Sequence, residues 1–173
     1  MNNIFHRGAE HGLYVGIYLI LLSWMMLQGI EYGFMNLLSL VMLCLLPVMI
    51  FIMLRRTFVQ EQGQSLLSGL WLEGIVSFIC GSMIFALAAY AYLRWINPHF
   101  IVEQVSEAIK LYDQVDDEQA KEVVTVLKQI EKTRAYPTPQ QIVLQLGLFI
   151  TFAGSILSLL TASFLKIRGY RKR

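Results

Sequence analysis

The sequence predicts an all-α membrane protein: four transmembrane helices, with an extracytoplasmic amphipathic helical hairpin between spans three and four. Three observations predict it. The 173 residues are 56% hydrophobic and have a mean hydropathy of +0.55, whereas soluble domains average about 45–50% apolar residues. Charged residues make up 15% of the chain and fall in blocks, leaving apolar windows of about 18 residues or more, long enough to cross a hydrocarbon core. One long polar segment, from Asn97 to Gln141, interrupts these windows.

The first span is expected at residues 13–30, about 27 Å of helix. Arg7 ahead of this apolar run gives it the look of a signal peptide, but no small-x-small cleavage site follows, so an uncleaved span is expected. Gly8, Gly12 and Gly16 recur every four residues on one helical face, where another backbone can approach. The second span is expected at 37–54, closed by Arg55 and Arg56, with a kink at Pro47.

A helix-compatible run from Leu66 to Trp95 is longer than a hydrocarbon core. The spanning portion is therefore set at 75–93, with Trp71 and Glu73 at the interface. The fourth span is expected at 142–165, where Thr138, Pro139 and Gln141 form a capping box with proline in the first turn. Gly74, Gly81 and Ala88 repeat every seven residues, as do Gly147, Gly154 and Thr161. These matching small-residue seams predict that spans three and four pack together.

Within the polar segment, Asn97 and Pro98 form a helix-start signature, followed by Val102, Val105, Ile109 and Tyr112 at 3, 4, 3 spacing. Asp116 with Gln119 starts a second helix carrying Ala120, Val123, Leu127 and Ile130. The two stripes predict an antiparallel hairpin over 97–138, inserted in a single membrane domain covering 1–173. Two short helices cannot bury a large core alone. Val102, Val105, Ile109, Tyr112, Val123, Leu127 and Ile130 are thus the candidate partner face. The acids Asp113, Asp116, Asp117 and Glu118 lack the glycine and bidentate glutamate of an EF-hand loop, and capping with the helix dipole accounts for them.

Orientation follows the basic residues. Arg7, Arg55, Arg56, Lys166, Arg168, Arg171, Lys172 and Arg173 share one side of a four-span topology, which the positive-inside rule makes cytoplasmic. Both termini are expected there. A formal net charge of +2 makes no case for nucleic-acid binding, and Cys44 and Cys80 lie in apolar runs as packing residues. No disulfide framework, zinc spacing, phosphate-binding glycine loop or nucleophile elbow is present in the sequence, so neither a catalyst nor a cofactor is expected.

Polar groups in or near the spans are functional candidates by default; here they are Gln28, Glu31, Glu73 and Gln145. Gln28, Glu31 and Gln145 fall near the outer ends of spans one and four, while Glu73 is expected to pair with Arg55, Arg56 or Lys166. His6 and His11, five residues apart, do not share a helical face.

The glycines Gly8, Gly12 and Gly16, the run YLRWINPHF from Tyr92 to Phe100, the amphipathic outer segment and the ending TASFLKIR together resemble a bacterial family of four-span inner-membrane proteins. That family is known as domain of unknown function forty-one ninety-nine. The resemblance covers nearly the whole chain and implies a bacterial inner-membrane location, with no established activity, substrate or catalytic residue.

The expected function is a non-enzymatic inner-membrane protein, an interaction or accessory subunit using its hairpin. Its partners are then the lipid bilayer and a second copy or another membrane protein. The alternative is a transporter or channel for a small solute, formed by oligomerised four-helix units.

Overall fold

The computed structural model describes residues 2–28, 32–62, 65–114 and 118–170. It is all-α: α1 (Asn2–Gln28), α2 (Gly33–Gln60), α3 (Leu67–Ala91), a π-helical turn (Tyr92–Ile96), α4 (Phe100–Tyr112), α5 (Glu118–Thr133) and α6 (Pro139–Tyr170). Four stretches are long and apolar enough to cross a bilayer: Ile4–Gln28, Gly33–Gln60, Leu67–Ile96 and Pro139–Ile167. The protein is a multi-pass membrane protein, with α4 and α5 between spans three and four in the chain.

Three of the four spans expected from hydropathy lie wholly inside the observed helices, and the first does so up to Gln28. The helices run further than the apolar windows because intrahelical hydrogen bonding does not stop where lipid contact does. α1 begins eleven residues before the predicted span, and α2 continues unbroken through Pro47 to Gln60. The most apolar 18-residue window of α2 has a mean hydropathy of 2.9, and the helix buries only Ser39, Ile50, Leu54 and Thr57 among its described residues, leaving most of its apolar surface for lipid.

The chain divides into two compact units, Met1–Leu87 with Gln145–Arg173, and Ala88–Leu144. In the first unit α3 is the most buried span. Its Val76, Ser77, Cys80 and Ile84 meet the glycine face of α1. A Cβ added to Gly8 would lie 2.7 Å from Val76 Cγ1, one on Gly12 2.5 Å from Cys80 Cβ, and one on Gly16 2.8 Å from Ile84 Cβ. The three glycines are therefore the condition for this approach.

On its α6 side, α3 places Gly74 under Ser158 and Phe78 under Gly154, so that added Cβ atoms would lie 2.4 and 2.1 Å from those side chains. Two polar contacts run along the same interface: Ser82 Oγ and Thr151 Oγ1 are 3.0 Å apart, and the Trp71 indole donates to the Ser155 carbonyl at 3.2 Å. Spans three and four thus pack together, but the seven-residue seams describe the contact only in part. Gly81 faces Val15 of α1, Gly147 meets open space, and Ala88 is half-buried. Gly74 and Gly81 lie on the border between the two faces of α3, so one line of small residues is shared by two neighbours.

In the second unit, α4 and α5 pack on each other. Ala120 and Val124 are buried, and Lys128 reaches Asp113 at 3.1 Å. The predicted stripe on α5 is turned by one position, since Val124 is buried while Val123 is 42% exposed. Val123 has the better 3, 4, 3 spacing, but packing against α4 selects the line through Ala120, Val124 and Leu127. α4 begins at Phe100, two residues later than expected from Asn97 and Pro98, with the Asn97 carbonyl accepting from the Phe100 amide. The π-helical turn, closed by Asn97 N–H to the Tyr92 carbonyl at 2.9 Å, takes up this region and sets the Tyr92 and Phe100 rings edge to face.

The capping box at the start of α6 is present in both directions: Thr138 N–H donates to Gln141 Oε1 at 2.9 Å, and Gln141 N–H donates to Thr138 Oγ1 at 3.4 Å. α5 ends on Arg134 at φ 52°, with Ala135 N–H donating to the Ile130 carbonyl, which satisfies an orphan acceptor of its last turn. The Asp116 cap and Asp117 lie outside the described residues.

Candidate functional site

Glu73 lies in the second turn of α3 and is 1% exposed. A carboxylate so deep within helices must be compensated, because removing it from water costs several kcal/mol or about that order. Three side chains from two helices supply the compensation. From the end of α2, the Thr57 hydroxyl donates to Glu73 Oε1 at 2.7 Å. From the first turns of α1, His11 Nδ1 stands 3.1 Å from the same oxygen and Arg7 Nε 3.8 Å from Oε2.

Helix geometry explains why these residues converge. Arg7 and His11 are four apart, hence stacked on one face of α1 beside the glycine line. Gly8 lets α1 settle against α3, where its added Cβ would lie 3.2 Å from the Glu73 carbonyl. Close backbone approach at Gly8 is what brings Arg7 within reach of a buried acid. The Arg7 guanidinium also donates from Nη2 to Glu61 Oε1, just past the end of α2, and so bridges two carboxylates. Beside Glu61, the Ser65 hydroxyl and the Arg7 guanidinium hold its carboxyl below the ordinary carboxylate value.

The cluster keeps unused hydrogen-bonding capacity. Among the described residues, Arg7 Nε and His11 Nδ1 are buried without a hydrogen-bond partner. It also opens outward. A cleft of about 850 Å³ runs between α1 and α2, with Arg7, His11, Thr57, Arg56 and Gln60 toward one end and Met49 toward the other.

The partners expected for Glu73 were others. Arg55 and Arg56 are exposed, and Lys166 donates instead to the Ser65 carbonyl at 2.6 Å, tying the end of α6 to the start of α3. His6 and His11 go to different acids, His6 lying 3.5 Å from Glu10 on the surface. Gln28 ends α1 half-buried, Gln145 is exposed on α6, and Glu31 lies outside the described residues. On the hairpin, Val105, Ile109, Leu127 and Ile130 are half-buried, while Val102, Tyr112 and Val123 are exposed.

Sequence reading missed Arg7, His11 and Thr57. The available signal was the i, i+4 pair Arg7 and His11 at the head of a span, set against a carboxylate, Glu73, inside an apolar run. What linked them was helix pairing, which no local pattern encodes.

Residues 10–166 match the family described as protein of unknown function DUF4199. The chain belongs to this family. His11, Thr57, Glu61 and Glu73 fall inside the region matched to DUF4199, while Arg7 precedes it. No curated protein and no solved structure matches the chain.

Proposed function

We propose that the protein is a non-enzymatic accessory or interaction subunit of the bacterial inner membrane, both termini cytoplasmic, which engages a partner through α4 and α5. The observation that carries this reading is the width of the apolar arc on α5. At 100° per residue, Val124, Ala120, Leu127, Ile130, Val123 and Val126 sweep roughly 160° of the helix. α4 covers one edge of that arc, where Ala120 and Val124 are buried; at the other edge Val123 and Val126 are 42% and 57% exposed.

Leu111 and Tyr112, at the end of α4, add further exposed apolar area. A face of this kind suits a helical, apolar partner surface from a second copy or another membrane protein. In-cell crosslinking from a photoreactive residue at position 126 tests it. Crosslinks to a defined protein, lost in V123S/V126S while the protein still accumulates in the membrane, support the proposal. Crosslinks confined to lipid and solvent, or unaffected by the double substitution, overturn it.

The buried Glu73 favours a second reading, movement of a small solute or ion through oligomerised units. An ionisable residue buried within membrane helices is the ordinary mark of a transport pathway. Reconstituted vesicles then show a flux that E73Q abolishes; flux absent across varied ions and small solutes, or unchanged in E73Q, rejects it.

A further inference from the structure

The cleft between α1 and α2 has two different ends, and the difference has chemical content. Along α1 it is lined at Arg7, His11 and Tyr14, and along α2 at Met49, Met53, Arg56 and Gln60. Each set repeats at three and four residues, so each is one face of its helix. From Arg56 back to Met49 is seven residues, about 10 Å along the axis. Over that distance the wall changes from guanidinium and amide to thioether and hydrocarbon, with Leu13 and Ile52 completing the apolar part.

Charge at the polar end is not used up within the protein. Arg7 is engaged by Glu61 and Glu73, and Glu10, the acid in the lining, is 3.5 Å from His6. Arg56 is exposed, and among the described residues it has no ion-pair or hydrogen-bond partner. Arg55 beside it in sequence is likewise exposed. The mouth of the cleft therefore presents a free guanidinium next to the Gln60 amide.

We propose that this cleft binds an anionic phospholipid from the surrounding bilayer. The phosphate sits against Arg56 and Gln60, and an acyl chain lies along Met53, Ile52 and Met49. Three features select this occupant. The polar end is cationic, and Arg binds phosphate with a fork of parallel donors. The remaining wall is apolar and polarizable, with methionines that adapt to a flexible chain. The cleft is walled by spans, and Leu13, Tyr14 and Ile52 are 51%, 61% and 47% exposed, so a chain enters sideways from lipid. Basic pockets between transmembrane helices take lipid headgroups for these reasons. A free phosphate uses the mouth alone and leaves the apolar wall without a purpose. The inference does not depend on the hairpin reading, since it concerns α1 and α2 only.

The test uses the full-length protein in nanodiscs and in detergent, with phosphatidylglycerol as anionic probe, phosphatidylcholine as zwitterionic probe and inorganic phosphate as headgroup competitor. Native mass spectrometry counts retained lipid, and thermal unfolding reports folding. The expected result is preferential retention of phosphatidylglycerol, weakened about fivefold in R56Q and also in M49W, which fills the apolar end, but not in R55Q. Lipid retained equally by R56Q and R55Q, or no preference over phosphatidylcholine, overturns it. Displacement by millimolar inorganic phosphate with no effect of M49W assigns the mouth to a free anion and also overturns it. If M49W unfolds, M49A, which removes chain contact without adding volume, replaces it with the same expected direction.

Discussion

The hydroxyl of Thr57 donates to Glu73 Oε1 at 2.7 Å, joining the end of α2 to the start of α3 where both side chains are shut off from solvent. In water such a bond contributes little net. Here its loss leaves a buried carboxylate short of a donor, which costs about 1–3 kcal/mol. T57V therefore destabilises the protein by that amount in detergent unfolding, and T57S restores most of it. In a T57V/E73L double-mutant cycle the two losses are less than additive, because each removes one partner of the same hydrogen bond. Additive losses contradict the coupling.

Glycine substitutions separate contact from composition. An added methyl at Gly154 runs into Phe78, whose ring is 2% exposed and cannot swing aside. G154A is expected to lose about 1–3 kcal/mol, the ordinary effect of overpacking. Gly147 has open space, so G147A is neutral or slightly stabilising through helix propensity. Equal sensitivity of the two in a thermal-shift assay would refute the contact of α3 with α6 at Phe78 and Gly154.

Acid sensitivity follows from Glu61. Its carboxyl is held below the ordinary value by the neighbouring Ser65 hydroxyl and the Arg7 guanidinium, so folding is favoured while it is ionised. That stability is fully present above the usual glutamate pKa of about 4.3 and is lost as pH falls through the lowered folded value. Glu61 is partly exposed, so the effect is modest and salt weakens it. E61Q should lower stability at pH 7 and flatten its decline between about pH 5 and 3. An unchanged acid limb in E61Q counts against the Arg7 bridge.

The reciprocal capping box at the start of α6 gives a fourth expectation. T138A removes the acceptor for the Gln141 amide and costs about 1 kcal/mol, whereas T138S costs a few tenths. Circular dichroism during thermal unfolding measures both.

How much of this was readable beforehand depends on the range of the interaction. The capping box at Thr138 and Gln141 was legible because it lies within four residues. The spans were legible because a bilayer demands a long apolar run wherever one crosses it. The stripe on α5 was legible in kind but set on Val123 instead of Val124, since several apolar residues compete for one narrow contact and only α4 decides among them. Glu73 stood out as a charge in an apolar run, but its partners did not.

The sequence by itself determined the membrane class, the helices and their order, because these rest on local hydropathy, caps and periodicity. Tertiary structure alone decided that Gly8 lets α1 settle on α3, that Gly81 faces α1 while Gly74 faces α6, and that Arg7, His11 and Thr57 gather on one carboxylate. The reason lies in the solvent. In a bilayer, lipid-facing and helix-facing residues are both apolar, so no amphipathic stripe marks the buried side of a span. Which faces meet is settled by shape and by a few polar contacts, and those exist only once the helices have packed.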